Sequence, residues 1–463
     1  MTVPENNDSY LLQSNVTQRS LMAVGGKGTN IFIEEPGSGD RKTLIDGCTG
    51  AAVGALGHGD ADIVKEIVDA STECVYTFPS TVCNYYAEDL AKFIIDNSPK
   101  NAYSAAVFVG SGSEANENAM RIARQYFLEK GDTDRVKFIS RDQSYHGFTT
   151  GCLGIGGGRR FDPYRPICQP LDHVPKATPC NPYHNKKNGE TLEQYKDRLL
   201  EELDETFQKA GPSTVAGAFL ETVSGSSLAC QTPVPGYLEG ARAICHKYGA
   251  LYISDEVMCG MGRCGTYHAW QQFLPEGQYP DIQTIGKTLG SGFVTIAGVL
   301  VSPKVKNAIA SGSKTIPGAQ TYHCHSFNCR IALAVQKKVK EQSLVENSFK
   351  MGEYLAEKLE SAIGSHKYVG DLRGAGLFRG IEFVKDKTTK TPFDPSVTFA
   401  KRFMNTCYKN GLTVMGNQGS VDGIKGDISL ICPAYILDKA VVDGIVEIVS
   451  KSLDELTLEV DAE

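Results

Sequence analysis

Short runs of apolar residues alternate with longer amphipathic stretches through the middle of the chain. Six runs predict buried strands: AAVFV (105–109), VKFIS (136–140), GAFLE (217–221), ALYISDE (250–256), IQTIG (282–286) and AGVLV (297–301). Between them, stretches 115–131 and 235–249 carry apolar residues every three or four positions, and each ends in a glycine, which predicts helices. This alternation predicts an α/β fold with a mainly parallel sheet.

The pattern changes after residue 322. A long helical stretch (330–364), a strand pair around LFRGIEFV (377–384) and a final helix predict a second, smaller α+β domain. We expect the first seventy or so residues to join it. The predicted organisation is therefore an N-terminal segment of the small domain (1–75), a large domain (76–325) and the C-terminal part of the small domain (326–463).

Composition narrows the possible partners and the location. The 463 residues are 41% hydrophobic, which is ample for a large core, and the net charge of -7 with dispersed acidic residues argues against nucleic acid. No stretch has the roughly 18 uncharged apolar residues of a membrane span. The first ten residues, MTVPENNDSY, do not look like a signal peptide, and the 14 cysteines form no CxxC motif. We expect a cytoplasmic protein with no membrane partner.

Charged residues stand where three of the predicted strands end. Asp255 and Glu256 end one strand, Glu221 ends another, and Lys287 follows the strand IQTIG. A buried ammonium is costly unless it is paired or neutralised. Because ligands of open α/β sheets collect beyond the carboxyl ends of strands, these residues together predict a functional site there.

Two further segments follow predicted strands. Residues 110–113, GSGS, form a turn of small residues before a helix, and the free amides of a helix start favour an anion such as a phosphate. Residues 144–147, SYHG, follow the strand VKFIS and offer an aromatic face. Each motif alone is a weak signal, since serine followed by Glu114 is also an ordinary helix cap.

The combination of these motifs resembles one family. The stretches FVGSGSEANENAMRIAR, YHG, LYISDEVMCGMGRCG, PDIQTIGKTLGSGF, TYHCHSFNCRIALAVQ and RGAGLFRGIEF occur in the order found in the class III aminotransferases. These are pyridoxal-phosphate enzymes of fold type I. The resemblance implies a large domain with a mainly parallel seven-stranded sheet and a smaller α+β domain.

The resemblance also implies three catalytic residues. Lys287 corresponds to the lysine that forms a Schiff base with the cofactor aldehyde and later acts as a general base. Asp255 corresponds to the carboxylate that keeps a proton on the pyridine nitrogen, and Tyr145 to the ring stacked on the cofactor. Val257, two residues beyond Asp255, should point to the same side and pack on the other ring face.

A wider set of cofactor-binding residues follows from the same resemblance. It comprises Ser111, Gly112, Ser113, Tyr145, His146, Glu221, Asp255, Val257, Lys287 and Thr321. Residues 111–113 match the phosphate cradle, and Thr321 matches a threonine that completes the phosphate site of the neighbouring subunit. The resemblance thus implies a homodimer with active sites at the subunit interface.

The implied reaction is a two-stage exchange. An amine donor leaves its amino group on the cofactor as pyridoxamine phosphate, and a carbonyl acceptor then takes it. Several class III members end a motif near the C-terminus with an arginine that clamps an α-carboxylate, but the matching stretch here is GDISLICPAY. We therefore expect an ω-amino acid or a simple amine as donor, unless Arg159, Arg160 or Arg263 takes over the clamp.

Other readings remain open at this stage. The same residues support an aminomutase, a decarboxylating transaminase or a racemase, because the cofactor supplies the electron sink while the pocket selects the bond that breaks. A cofactor-binding protein without turnover is a further alternative. His323, Cys324, His325 and Cys329 match no common zinc spacing, so we expect no metal site.

Overall fold

The computed structural model describes residues 11–12, 21–35 and 38–463, with only the backbone at Arg160 and Leu171. The first ten residues, on which the signal-peptide prediction rests, lie outside these ranges. Within the ranges, no helix combines the length and the apolar character needed to cross a bilayer.

The elements follow one another in chain order. The strands are β1 Met22–Lys27, β2 Asn30–Glu34, β3 Arg41–Ile45, β4 Ala105–Val109, β5 Lys137–Arg141, β6 Lys176–Ala177, β7 Val215–Glu221, β8 Leu251–Asp255, β9 Ile282–Ile285, β10 Ala297–Val301, β11 Val369–Ala375, β12 Phe378–Phe383, β13 Met415–Gln418 and β14 Asp427–Ile431. The helices are α1 Thr49–Ala52, α2 Ala61–Ser71, α3 Tyr85–Asp96, α4 Gly112–Glu129, α5 Thr150–Ile155, α6 Pro182–Asn185, α7 Leu192–Ala210, α8 Tyr237–Lys247, α9 Pro303–Ser311, α10 Ser326–Glu341, α11 Leu344–Ile363, α12 Phe399–Asn410 and α13 Lys439–Asp461. Short 3-10 turns cover Arg159–Ile167, Leu171–His173, Pro212–Thr214, Ala269–Gln272, Lys287–Leu289 and Pro395–Val397.

The central sheet has seven strands in the order β4-β10-β9-β8-β7-β5-β6. Strands β9, β8, β7, β5 and β6 pair in parallel, and β10 runs antiparallel to both β4 and β9. The prediction of an α/β fold with a mainly parallel seven-stranded sheet is confirmed. All six strands predicted from apolar runs are present, whereas β6, with two residues, is too short to leave a pattern.

Successive side chains of the central strands pack into two hydrophobic cores, one on each face of the sheet. In β8, Tyr252 packs into the cluster on one face of the sheet, while Leu251 and Ile253 pack into the cluster on the other. Side chains alternate across a strand, so a strand buried on both faces is largely apolar, as the runs AAVFV and AGVLV show most clearly.

A second core lies around the four-stranded sheet β11-β12-β14-β13 and helices α11 to α13. It includes Ala55, Leu56, Ile63 and Ala70, so the N-terminal region packs with the C-terminal one. The exact domain boundaries stay a prediction. The helical stretch predicted over 330–364 is confirmed and forms two helices, because the chain turns at Ser343 (φ 52°) and α11 folds back against β11 and α13.

Candidate active site

A cavity of about 660 Å³ opens at the carboxyl ends of the parallel strands. Its lining contains every predicted cofactor-binding residue except Thr321: Ser111, Gly112, Ser113, Tyr145, His146, Glu221, Asp255, Val257 and Lys287. Glu221 and Asp255 end neighbouring strands and pair in register, while Lys287 follows β9. The parallel sheet thus brings together residues that are far apart along the chain.

Asp255 is a buried carboxylate held by several donors. Its Oδ2 accepts a hydrogen bond from Asn116 Nδ2 at 2.9 Å and lies 2.8 Å from His146 Nδ1, and its Oδ1 accepts from the Val257 amide at 3.0 Å. Burial by itself raises the pKa of Asp255, but the contact with His146 and these donors hold the pKa below its ordinary value. The cavity therefore contains a fixed negative charge at Asp255.

Lys287 occupies a strained backbone position. Its φ of 47° is uncommon for a residue with a side chain, and such strain concentrates at functional sites. The turn is fixed from outside, because Gln336 Nε2 donates to the carbonyls of Thr288 and Leu289 at 3.0 Å each. Burial lowers the pKa of the Lys287 amine, and the nearby Asp255 carboxylate opposes that shift. The uncharged amine is therefore populated at lower pH than in an exposed lysine.

The first turn of α4 forms an anion cradle. Ser111 caps the helix by accepting from the Glu114 amide at 3.2 Å, and Ser113 Oγ accepts from the Phe148 amide at 2.9 Å. Glycine at position 112 allows the close approach of Val257, because an added Cβ would lie 2.6 Å from Val257 Cγ1. Free amides and the helix dipole suit a phosphate group here.

These residues fit the predicted cofactor. The same cavity offers an ionised carboxylate for a ring nitrogen, a helix start for a phosphate, an amine for an aldehyde, and Tyr145 and Val257 as packing surfaces. A Cβ at position 147 would come within 2.5 Å of Ser113 Oγ, so glycine there also keeps the cradle open.

His146 and Glu221 complete the polar lining. His146 is buried, and its Nε2 has no hydrogen-bond partner among the described residues. Glu221 accepts from the Tyr145 amide at 3.4 Å, and burial raises the pKa of its carboxyl group. Sequence reasoning missed Arg141, whose guanidinium donates to the Glu221 carbonyl at 2.7 Å instead of to its carboxylate.

Thr321 lies outside the cavity, on an exposed segment. Its carbonyl accepts a hydrogen bond from the Tyr76 hydroxyl at 2.9 Å. The predicted contribution of Thr321 to the site of a neighbouring subunit involves a second chain and stays a prediction.

Several lining residues were missed by sequence reasoning. Asn116 is a buried polar residue on the apolar side of α4, next to Ala115 and Ala119, and its spacing from Gly112 was the available signal. Phe148 and Met258 directly follow predicted motif residues, whereas others come from distant segments and carry no motif: Ala51, Val53, Phe161, Val223, Met415 and Asn417.

The three arginines considered as carboxylate clamps differ in burial and in their contacts. Arg263 is fully buried and donates to the carbonyls of Pro433, Leu377 and Gly54, so its guanidinium is already occupied. Arg159 is exposed beside Gly423, and the side chain of Arg160 lies outside the described part of the chain. Among the described residues, the cavity lining contains no arginine.

The His323–Cys329 region shows a structural role. His325 Nδ1 accepts from the Asn328 amide at 3.4 Å and caps α10. Within the described ranges, no group of three histidine, cysteine, aspartate or glutamate side chains is arranged to hold a metal ion.

Known proteins are similar to this chain in sequence and in fold. The family model described as aminotransferase class-III matches residues 14–453. An uncharacterized aminotransferase of Schizosaccharomyces pombe is 38% identical over 96% of this chain and 95% of its own length. Gamma aminobutyrate transaminase 3 of Solanum lycopersicum is 32% identical over 79% of this chain and 68% of its own. The omega transaminase of Pseudomonas jessenii in complex with PMP superposes with a TM-score of 0.87 and 29% identity, covering 96% and 94% of the two chains.

Proposed function

The chain belongs to the class III aminotransferases and is a pyridoxal-phosphate-dependent transaminase, and we propose that its preferred donors carry the amino group away from an α-carboxylate. Simple amines and ω-amino acids are such donors. The observation that carries this proposal is the cavity lining, in which the described residues include Lys287 but no arginine.

The charge balance of the cavity supports this choice. Asp255 is ionised, Glu221 adds a second carboxyl group, and Lys287 is engaged in the reaction. An α-carboxylate held next to the reacting carbon needs a bidentate partner to offset its desolvation.

The rest of the lining is largely apolar. We call Val53, Phe148, Phe161, Val223 and Met415 the apolar lining. Rings of Phe148 and Phe161 lie 6.4 Å apart in an edge-to-face arrangement. Such a surface favours an uncharged hydrocarbon group on the substrate.

The names of similar proteins agree with this substrate class. The tomato relatives are gamma aminobutyrate transaminases, and the similar solved structures include an (S)-enantioselective omega-transaminase from Thermomicrobium roseum, with 28% identity and a TM-score of 0.86. The gamma aminobutyrate of the first name carries its amino group away from its carboxylate, as the proposed donors do.

The residues of this chain divide the work of the reaction. The bound cofactor supplies an aldehyde for the amine and a ring that withdraws electrons. Lys287 Nζ would hold the cofactor through that aldehyde and would move a proton at the donor carbon, which its lowered pKa favours. Asp255 would hold a proton on the ring nitrogen, and Asn116 and His146 orient Asp255.

A homodimer and a cytoplasmic location are part of the proposal. Tyr76, Phe78 and Tyr322 expose aromatic surface near Thr321, and the rings of Tyr76 and Tyr322 lie 5.8 Å apart. Exposed apolar surface of this kind favours association with a second copy. The amino-acid pattern that led us to expect the cytoplasm is the support for that location.

A donor panel tests the substrate proposal. We expect 1-phenylethylamine and 4-aminobutanoate to give higher kcat/KM than alanine or glutamate, with pyruvate, 2-oxoglutarate and an aldehyde tried as acceptors. Product analysis that shows net amino transfer separates a transaminase from an aminomutase, a decarboxylating enzyme or a racemase. If α-amino acids were the best donors by a wide margin, the proposal would be wrong.

A further inference from the structure

Residues 49–54 form a segment with unusual backbone geometry, which we call the wall segment. Thr49 (φ 47°), Gly50 (φ 69°) and Ala52 (φ 61°) are all in the left-handed region. This region is unfavourable for β-branched threonine and for alanine, and strained backbone persists only where the surroundings hold it.

The wall segment separates two cavities. Ala51 and Val53 line the active cavity, while Thr49 and Gly50 line a second cavity of about 350 Å³, and Val53 borders both. Most interior segments are positioned by close packing on every side. Ala52 is packed in this way, in a buried cluster with Val223 and Phe378, while the residues that border the cavities are held largely by hydrogen bonds.

Asp46 supplies those bonds at the N-terminal end of the wall segment. Its buried carboxylate accepts from the Thr49 amide at 2.9 Å and the Thr413 hydroxyl at 2.7 Å, and lies 2.9 Å from His58 Nε2. Thr413 immediately precedes the β13 region, which contributes Met415 to the active cavity. Asp46 therefore ties two separate parts of the cavity lining to each other.

The other end of the wall segment is fixed independently. Ser291 Oγ accepts from the amides of Ala55 and Leu56 at 2.8 and 2.9 Å, and Arg263 Nη2 donates to the Gly54 carbonyl at 3.1 Å. Loss of Asp46 would therefore loosen the first half of the segment, which would keep the bond from the Thr49 hydroxyl to the Cys432 carbonyl at 3.0 Å, while its second half stays anchored.

We propose that Asp46, which itself lines the second cavity, is a positioning residue that fixes the wall segment between the two cavities and thereby limits the size of the amine accepted. The proposal rests on the proposed function, since it concerns the same substrate cavity. Without Asp46, the strained residues relax toward the second cavity and the active cavity widens.

The test uses full-length holoenzyme and two donors of different size. We expect Asp46→Ala to raise kcat/KM for 1-phenylethylamine relative to isopropylamine by about tenfold, a difference in transition-state binding of about 1.4 kcal/mol. Asp46→Asn keeps one acceptor oxygen and should retain most of the wild-type ratio. If Asp46→Ala does not fold, Thr413→Val should shift the ratio in the same direction by a smaller factor.

Asp281→Ala is a matched control. Asp281 is also buried and is bonded to a histidine, His246, at 2.8 Å, to the Tyr252 amide at 2.9 Å and to Lys304 at 2.9 Å, but it lies outside both cavities. This variant should lose stability without changing the donor ratio. An equal change of ratio in Asp281→Ala, or an unchanged ratio in both Asp46→Ala and Thr413→Val, would overturn the proposal.

Hydrogen–deuterium exchange provides a readout that does not depend on turnover. Amides of residues 49–53 should exchange roughly tenfold faster in Asp46→Ala, while the amides of Ala55 and Leu56 stay protected by Ser291. If the wild-type protein failed to transaminate either donor, the proposed function would fail, yet this measurement would still decide the role of Asp46. Unchanged exchange over 49–53 would contradict that role.

Discussion

The cofactor-binding residues and the apolar lining of the same cavity are held in place by different forces. The Asp255 carboxylate is held by Asn116, His146, the Val257 amide and the Thr284 hydroxyl, and Lys287 lies in a turn fixed by Gln336, so the charged groups have defined positions. Phe161 and Met415 contribute bulk and apolar surface instead. The difference indicates that the reaction depends on the identity of single atoms, whereas the choice of donor depends on volume and charge.

Removal of the lysine should have the largest effect. We expect Lys287→Ala to lower kcat by roughly 10⁴-fold, because the variant lacks both the attachment point and the proton-transfer group. Steady-state assays check the rate, and borohydride reduction should add the cofactor mass to residue 287 of the wild type only. Lys306→Ala, a change of an exposed lysine outside the cavity, serves as control, and comparable loss there would contradict the assignment.

Removal of the charge of Asp255, the carboxylate expected to face the ring nitrogen of the cofactor, should lower kcat by a smaller factor. Asp255→Asn keeps the shape but removes the charge, which costs about 2 kcal/mol for a charge-assisted hydrogen bond and corresponds to about 30-fold in kcat. Single-turnover kinetics with one amine donor measure this step directly. Asp281→Asn should leave the rate within a factor of two, and an unaffected Asp255→Asn enzyme would argue against the role of Asp255.

A substitution in the phosphate cradle should weaken cofactor binding more than it lowers kcat. Gly112→Ala places a Cβ within 2.6 Å of Val257, so either Val257 or the start of α4 must shift. We expect the Kd for pyridoxal phosphate to rise about tenfold in titrations of the apoenzyme, with kcat at saturating cofactor changed less. Gly444→Ala, where the nearest atom is Ile45 Cδ1 at 3.4 Å, provides the control.

The smallest effect is expected in the apolar lining. Met415→Leu conserves volume and apolar character, so kcat/KM for 1-phenylethylamine should change less than about threefold. Donor competition assays give this ratio. A loss as large as that in Asp255→Asn would mean that Met415 acts through a specific atom, and the distinction between the two parts of the cavity would then be wrong.

Much of the site was predictable because charged residues at the ends of apolar runs are easy to recognise in the sequence. Glu221 and Asp255 end apolar runs, and Lys287 follows one, so the expectation that they converge required only a parallel sheet. Asn116 was not predicted. A polar residue in an amphipathic helix is normally assigned to the solvent-facing side, and only the structure shows that Asn116 donates a hydrogen bond to Asp255. Arg263 was misjudged as a possible clamp for the same reason, because its carbonyl partners are distant in sequence.

The amino-acid sequence by itself determined the strands of the central sheet, the helix start at Ser111 and the residues able to carry the chemistry, because these depend on local periodicity and residue type. Only the tertiary structure decided that Ala51, Val53 and Met415 border one cavity, that Asp46 bonds to Thr413, and that the chain turns at Ser343. Such contacts join segments hundreds of residues apart, and their formation depends on the packing of the whole molecule.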